Sequence, residues 1–259
     1  MWILVIFVIF MISFIVYLSM QSSRIYIRKL EVAKKNLPGS FRFAQITDFH
    51  ANPWVDLTKL REEIFTFGPH VIVMTGDMVD HACQERRAME LVEILLSTGV
   101  PVVAVAGNHD LKPGVEIMEE MLHAGVRVLA NRAMDLSLNG VCVHIAGFSY
   151  PVRADVYDAL VDCDAEYTLL LAHTPFPLTR FLDARTDLAL AGHTHGGQAR
   201  IPLLGAWYVP GEGFFPRYDK GLFRVGGSKL FISSGLGNTL APIRVGNPVE
   251  IVFGTVKGE

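Results

Sequence analysis

The sequence is poor in cysteine: Cys83, Cys142 and Cys163 are three among 259 residues, and no two form a Cys-x-x-Cys pair. An odd number of widely spaced thiols argues against a disulfide framework or a zinc knuckle, and buried thiols are the default reading. A surplus of positive charge is also missing. With 23 Lys and Arg against 26 Asp and Glu, the formal net charge is −3, so no nucleic-acid polymer is expected as a partner. No Pro- or Ser-rich linker, low-complexity run or internal repeat divides residues 41–259, which therefore read as one domain. Charge is absent altogether between Trp2 and Met20.

That charge-free run is dominated by Ile, Val, Phe, Leu and Met and matches about one bilayer thickness of helix. A cleaved signal peptide is the rival reading. It is disfavoured because the start carries no Lys or Arg, the apolar stretch exceeds the usual core of roughly 7–15 residues, and no clear small-x-small cleavage site follows. Residues 1–22 are thus expected to be a single-pass anchor that holds the protein at a membrane. Arg24, Arg28, Lys29, Lys34 and Lys35 crowd its C-terminal flank, which by the positive-inside tendency puts the following domain on the cytoplasmic side. Residues 23–40 read as a juxtamembrane segment, although the rough alternation from Ile25 to Val32 also suits an edge strand.

With 51% hydrophobic and 19% charged residues, the rest of the chain can bury one substantial core. Apolar runs at Phe41–Thr47, Val71–Thr75, Val102–Ala106, Val141–Gly147, Tyr167–Ala172 and Leu188–Ala191 predict buried strands. Amphipathic patterns at Asp56–Phe67, Gln84–Ser97 and Val115–Ala124 predict intervening helices, and this alternation implies β-α-β crossovers and a largely parallel sheet. From Ala199 onward Gly, Pro and aromatic residues dominate. Short β-like pieces at Leu230–Ser233 and Val249–Val256 predict a second, more antiparallel sheet packed on the first.

Polar groups recur at the ends of five of these strands. Thr47-Asp48-Phe49-His50 follows the first, Gly76-Asp77-Met78-Val79-Asp80 the second and Gly107-Asn108-His109-Asp110 the third. Ala172-His173-Thr174-Pro175 and Gly192-His193-Thr194-His195-Gly196-Gly197-Gln198 follow two later ones. Each motif alone is an ordinary turn signal. Turns, however, do not require carboxylates and imidazoles to recur at successive strand exits, which is where open α/β sheets place their ligand crevices. Mixed His, Asp and Asn donors suit borderline cations such as zinc, iron or manganese and exclude a soft thiolate site. His70, His123 and His144 read as surface or core imidazoles. His81, next to Asp80, is a secondary candidate for substrate contact.

The motifs Asp-x-His, Gly-Asp-x-x-Asp, Gly-Asn-His-Asp, a later His and Gly-His-x-His, in this order, resemble the calcineurin-like metallophosphoesterases over residues 41 to about 259. That resemblance implies an α/β fold, an αββα sandwich of two mixed β-sheets flanked by helices, here preceded by one transmembrane helix. It implies two divalent metal ions (Mn, Fe or Zn) as cofactors. Asp48, His50, Asp77 and His195 would hold one ion, and Asp77, Asn108, His173 and His193 the other, with Asp77 bridging. Two cations about 3.5–4 Å apart clamp phosphate oxygens and generate a hydroxide nucleophile near neutrality. His109 would then stabilise the phosphoryl oxygens or protonate the departing oxygen, with Asp110 fixing its tautomer and Asp80 standing behind the ligands.

The Gly-His-Thr-His-Gly-Gly-Gln form of the last motif, Ser234-Gly235-Leu236-Gly237 and the anchor are together similar to a bacterial membrane-associated phosphodiesterase subgroup. That subgroup includes UDP-2,3-diacylglucosamine pyrophosphatases, which implies a phosphodiester or pyrophosphate substrate, with a lipid-linked nucleotide as one form. Phosphomonoester or phosphoprotein hydrolysis is the alternative, and a catalytically inactive scaffold ranks below both because none of the seven ligand positions is missing. Arg200 is a candidate for binding a non-scissile phosphate. Trp207, Tyr208, Phe214, Phe215 and Tyr218 read either as an acyl-facing, membrane-dipping loop or as the aromatic packing of an irregular loop.

Overall fold

The computed structural model describes residues 1–238 and 243–259. Helix α1 (Trp2–Ser23) leads into β1 (Tyr26–Lys34), β2 (Ser40–Ile46), α2 (Leu57–Phe67), β3 (Val71–Thr75), α3 (Glu85–Leu96), β4 (Val102–Val105), α4 (Ile117–Ala124) and β5 (Arg127–Val128). The middle of the chain forms β6 (Arg132–Leu138), β7 (Val141–Gly147), α5 (Tyr157–Val161), β8 (Tyr167–Leu171), α6 (Pro175–Leu178) and β9 (Leu188–Ala191). Four two-residue strands follow, β10 (Arg200–Ile201), β11 (Gly205–Ala206), β12 (Tyr208–Val209) and β13 (Gly213–Phe214). Last come β14 (Gly221–Val225), β15 (Ser228–Ile232) and β16 (Glu250–Gly258).

The long strands build two six-stranded sheets, in the orders β1-β16-β2-β3-β4-β5 and β14-β15-β9-β8-β7-β6. In each, parallel pairing runs through neighbouring strands such as β2-β3-β4 and β15-β9-β8-β7, with antiparallel pairs at β16-β2, β14-β15 and β6-β7. Period-two alternation assigns the layers. Phe41, Phe43, Val71 and Val103 on the first sheet meet Val143, Leu169, Leu188 and Leu190 on the second. The opposite faces carry helices: Ala44, Ile46, Ile72 and Met74 pack on α2, α3 and α4, while Ala146, Leu170, Ala189 and Ala191 pack with residues of α5 and α6. Because both faces are covered, these strands read as continuous apolar runs rather than alternating ones. The result is the expected αββα sandwich of mixed sheets.

Local chemistry fixes the helix ends. Asp56 accepts a hydrogen bond from the Lys59 amide at 3.0 Å and caps α2, which Gly68 ends in the left-handed region at φ 59°. Helix α1 is exposed except near its last turn, where Ser22 is buried. Its 22 residues extend about 33 Å at 1.5 Å per residue, enough to cross a bilayer.

Three expectations need correction. The second sheet is not confined to the C-terminal third: it draws on β6 to β9 as well, and β16 returns to the first sheet between β1 and β2. Residues 23–40 are not set apart from the domain, since β1 pairs with β16 from Tyr26↔Glu250 to Lys34↔Gly258. Its alternation therefore marks an edge strand, the alternative noted above. The thiols are not buried either, because Cys142 occupies an outward position of β7 and Cys83 lies in an exposed turn.

Candidate metal centre

The exits of β2, β3, β4, β8 and β9 bring all seven candidate ligands into one place, at an edge shared by the two sheets. The Asp77 carboxylate lies between two groups of donors. One Asp77 oxygen, Oδ2, is 3.1 Å from His173 Nε2 and 3.8 Å from His50 Nε2. On the His50 side, His50 Nε2 is 3.2 Å from His195 Nε2, which is 3.4 Å from Asp48 Oδ1. On the other side, His173 Nε2 is 3.1 Å from both Asn108 Oδ1 and His193 Nδ1. Asp48, His50 and His195, and separately Asp77, His173 and His193, each bring one ligand atom per residue within 4.8 Å of one another.

This donor set fits divalent cations for a reason that tautomers make plain. His173 Nδ1 lies 2.9 Å from the Thr75 carbonyl and must donate to it, and His50 Nδ1 lies 2.8 Å from Asp80 Oδ1. With each Nδ1 carrying its proton, each neutral ring turns the Nε2 lone pair towards other lone pairs. Acceptors gathered in this way repel unless a cation stands among them, and an imidazole backed by a carbonyl or carboxylate is the usual metal-ligand arrangement.

The carboxylates gathered here attract positive charge, whether that of a cation or that of a protonated His173. Burial opposes ionisation of His173, yet Asp77 and Asp48 overcome it and push its pKa up to about 9. Burial also opposes the charged form of Asp77, but His173 and His50 hold its pKa well below the usual carboxylate range. His193 moves the other way: burial and the charge of His173 bring it down to about 4. Burial raises the pKa of Asp48, which is fully enclosed and accepts hydrogen bonds from Thr47 Oγ1 at 2.7 Å and the His193 amide at 3.0 Å.

Backbone conformation at the site is unusual. Asp48, His50, Asp77, His193 and His195 all adopt positive φ, between 45° and 71°. Non-glycine residues enter this region at a cost, and clusters of them mark functional sites. Two glycines make the close approach feasible. A Cβ on Gly192 would overlap Thr47 Oγ1 and Asp48 Oδ2, and one on Gly107 would overlap the Asp77 carboxylate.

The two proposed catalytic residues separate. His109 lines a cleft of about 650 Å³ that opens beside Asp77, Asn108, His193 and His195. Asp110 does not touch its ring. It is buried and accepts from the amides of Asp77 and Met78 at 2.7 Å and of Gly107 at 2.9 Å, tying the β3 and β4 exit loops together. Those amides, otherwise without helix or strand partners, draw the carboxylate beneath the loops. Asp80 takes the expected role instead, with Oδ1 2.8 Å from His109 Nδ1 as well as from His50 Nδ1. Burial opposes its charge, but hydrogen bonds from both rings keep its carboxyl well below the ordinary range.

Arg200 is not brought to the cleft. It is engaged by Asp219 Oδ2 at 2.9 Å and the Gly196 carbonyl at 3.1 Å. His81 lines the cleft, whereas His70 accepts from the Arg42 amide at 3.0 Å and His144 sits between Asp135 and the Leu160 carbonyl. Sequence reasoning missed Lys112, whose Nζ is 2.7 Å from His109 Nδ1, although its place three residues after His109 was a usable hint. It also missed fully buried Arg244, with Nη2 3.4 Å from His195 Nδ1 and 2.6 Å from the Ser234 carbonyl. Nothing in its local sequence signalled that position.

A sandwich with clustered His, Asp and Asn at its strand exits is the architecture of a metal-dependent phosphoric ester hydrolase. Residues 41–197 match the calcineurin-like phosphoesterase family, and the chain belongs to that family. It is 28% identical to the metallophosphoesterase YkuE of Bacillus subtilis, over 84% of this chain and 79% of that protein. It is also 28% identical to the phosphodiesterase YaeI of Escherichia coli, over 79% of this chain and 78% of the relative. A Bos taurus relative, a transmembrane protein with a metallophosphoesterase domain, is 28% identical over 86% of this chain and 55% of its own length. Among solved structures, TT1561 of Thermus thermophilus shares the fold with a TM-score of 0.50 at 16% identity, covering 76% of this chain and 90% of that one.

Proposed function

We propose that the chain is a dinuclear phosphodiesterase or pyrophosphatase held at a membrane by α1, with its catalytic domain on the cytoplasmic side. The observation that carries the dinuclear reading is the Asp77 carboxylate standing between the His50 and His173 nitrogens. Asp48, His50, Asp77 and His195 would hold one divalent ion, and Asp77, Asn108, His173 and His193 the other. Such a pair supplies Lewis acidity and an activated water for in-line displacement at phosphorus.

The chain's own residues do the rest. Asp80 accepts from His109 Nδ1 and orients the ring, so that Nε2, carrying the second proton of the imidazolium, would be the nitrogen that gives it to the departing oxygen and returns the ring to neutrality. Lys112 Nζ, held 3.2 Å from the Asp80 carbonyl, brings positive charge to the same corner of the cleft, where phosphoryl oxygens gather charge. Tyr208, Pro210 and Ile243 wall the cleft with apolar surface, which suits a second ester substituent and favours diesters over monoesters. The kinship with YaeI, named a phosphodiesterase, points the same way.

Metal-reconstituted protein should hydrolyse bis(p-nitrophenyl) phosphate at least tenfold faster, in kcat/KM, than p-nitrophenyl phosphate or a phosphopeptide, a difference of about 1.4 kcal/mol or more. A preference for either monoester would sink the diester assignment. UDP-2,3-diacylglucosamine, assayed alongside, tests the lipid-linked form. Good turnover of simple diesters with none of this compound would remove that substrate and leave the hydrolase intact. A C-terminal reporter active in only one compartment tests the cytoplasmic orientation.

A further inference from the structure

The last two turns of α1 are fastened to the catalytic body. Tyr17 Oη accepts from the Gly246 amide at 2.7 Å, Gln21 Oε1 from the Asn247 amide at 3.0 Å, and the Gln21 carbonyl from the Val249 amide at 2.9 Å. Asn52 Nδ2 donates to the Ser22 carbonyl at 3.1 Å from the loop that also carries His50. Asn247 in turn donates through Nδ2 to the carbonyl of His195 at 2.6 Å. The helix end therefore lies one residue from the metal centre, and it cannot swing free without breaking these bonds. Whatever surface borders that end faces the bilayer that α1 enters.

The bordering surface is apolar. The 243–247 segment pairs with residues 198–200, through Arg200 N to the Val245 carbonyl at 2.9 Å and Val245 N to the Gln198 carbonyl at 3.1 Å. From there the chain runs into a lobe, residues 200–215, made of two small ribbons, β10-β11 and β12-β13. Its large apolar side chains point outward: Leu203 and Leu204 are exposed, as are Trp207, Phe214 and Phe215. Trp207 meets Phe214 and Phe215 edge-on, with centroids 5.6 and 5.4 Å away, so the rings cluster outside the core rather than filling it. Trp54, two residues after Asn52, is exposed as well. Soluble surfaces rarely gather such residues, whereas aromatic and aliphatic groups beside a membrane helix are the usual interfacial anchors. The lobe is continuous with the cleft through Tyr208 and Pro210, while Ile243 closes the cleft from the segment that holds α1.

We propose that the 200–215 lobe inserts into the interfacial layer of the bilayer that α1 crosses, so that the catalytic cleft opens at the lipid surface. It would admit phosphodiesters whose apolar portion stays among the acyl chains. This rests on the reading of α1 as a membrane anchor.

The test uses the full chain in phosphatidylcholine vesicles containing brominated lipids, with W2F/W54F leaving Trp207 as the sole tryptophan. Trp207 fluorescence should be quenched by bromines placed near the headgroups. L203D/L204D should remove that quenching and slow hydrolysis of hexadecyl p-nitrophenyl phosphate in the vesicles about tenfold, the loss expected for an interfacial contact. The same variant should hydrolyse water-soluble bis(p-nitrophenyl) phosphate at the parent rate. An unquenched Trp207 while Trp2 is quenched in W54F/W207F would overturn the lobe's insertion and leave the anchor standing. If Trp2 too is unquenched, the anchor reading and this inference fail together, while turnover of the soluble diester preserves the phosphodiesterase reading.

Discussion

The two halves of the proposed dinuclear centre are supported differently. The Asp48, His50 and His195 half leans mainly on side chains: Asp80 behind His50, Thr47 behind Asp48, Arg244 and Asn247 around His195, with the His193 amide as the one main-chain donor, to Asp48, among these contacts. The Asn108, His173 and His193 half leans on main chain, with the Thr75 carbonyl fixing His173. Side-chain support can be removed by one substitution, whereas carbonyl support cannot. The first half is thus the one that mutation or evolution can tune independently, and it is also the half tied to α1 through Asn247.

Substitutions can break or sharpen this contrast. Asp77→Ala removes the carboxylate common to both halves and should cost both ions, with activity falling by about 10⁴-fold or more, because the paired-ion chemistry is lost entirely. Elemental analysis of the purified variant checks this, and retention of one full equivalent would show that Asp77 is not shared. His109→Ala should leave both ions in place while kcat falls about 10²–10⁴-fold, the usual worth of a positioned proton donor. If metal content drops with activity, His109 belongs among the ligands. Asp80→Asn should be the mildest and most asymmetric change. It should weaken one ion about 10–100-fold and spare the other, as loss of an outer carboxylate behind a ligating histidine does. Two metal affinities that fall equally in a calorimetric titration would argue against independent halves.

The same contrast explains what could be read in advance. Val71–Thr75 and Leu188–Ala191 were legible to the residue because every position is buried and nearly all are apolar. Edge strands were less so: β1 showed only as an alternative reading, and β6 not at all. The β6 sequence Arg-Ala-Met-Asp-Leu-Ser-Leu is largely exposed and carries only a faint alternation, so it looks like loop until β7 pairs with it. Ligand positions were visible because each follows a strand within four residues, a local signal. The partners behind them were not, since the link from His50 to Asp80 spans 30 residues and the link from His195 to Arg244 spans 49. Asp110 shows the limit most clearly. Adjacency to His109 suggested a partnership, but the backbone turn sends the carboxylate to amides 32 and 33 residues away.

The left-handed backbone at Asp48, His50, Asp77, His193 and His195 also bears on design. Copying seven side chains onto the regular strand ends of another scaffold would aim most of them wrongly, since their directions come from φ values that ordinary loops avoid. A transplant would have to carry the exit loops whole, with Gly107 and Gly192 included to make room. The portable unit is a set of bent backbones, and the familiar histidines and aspartates are only its visible tips.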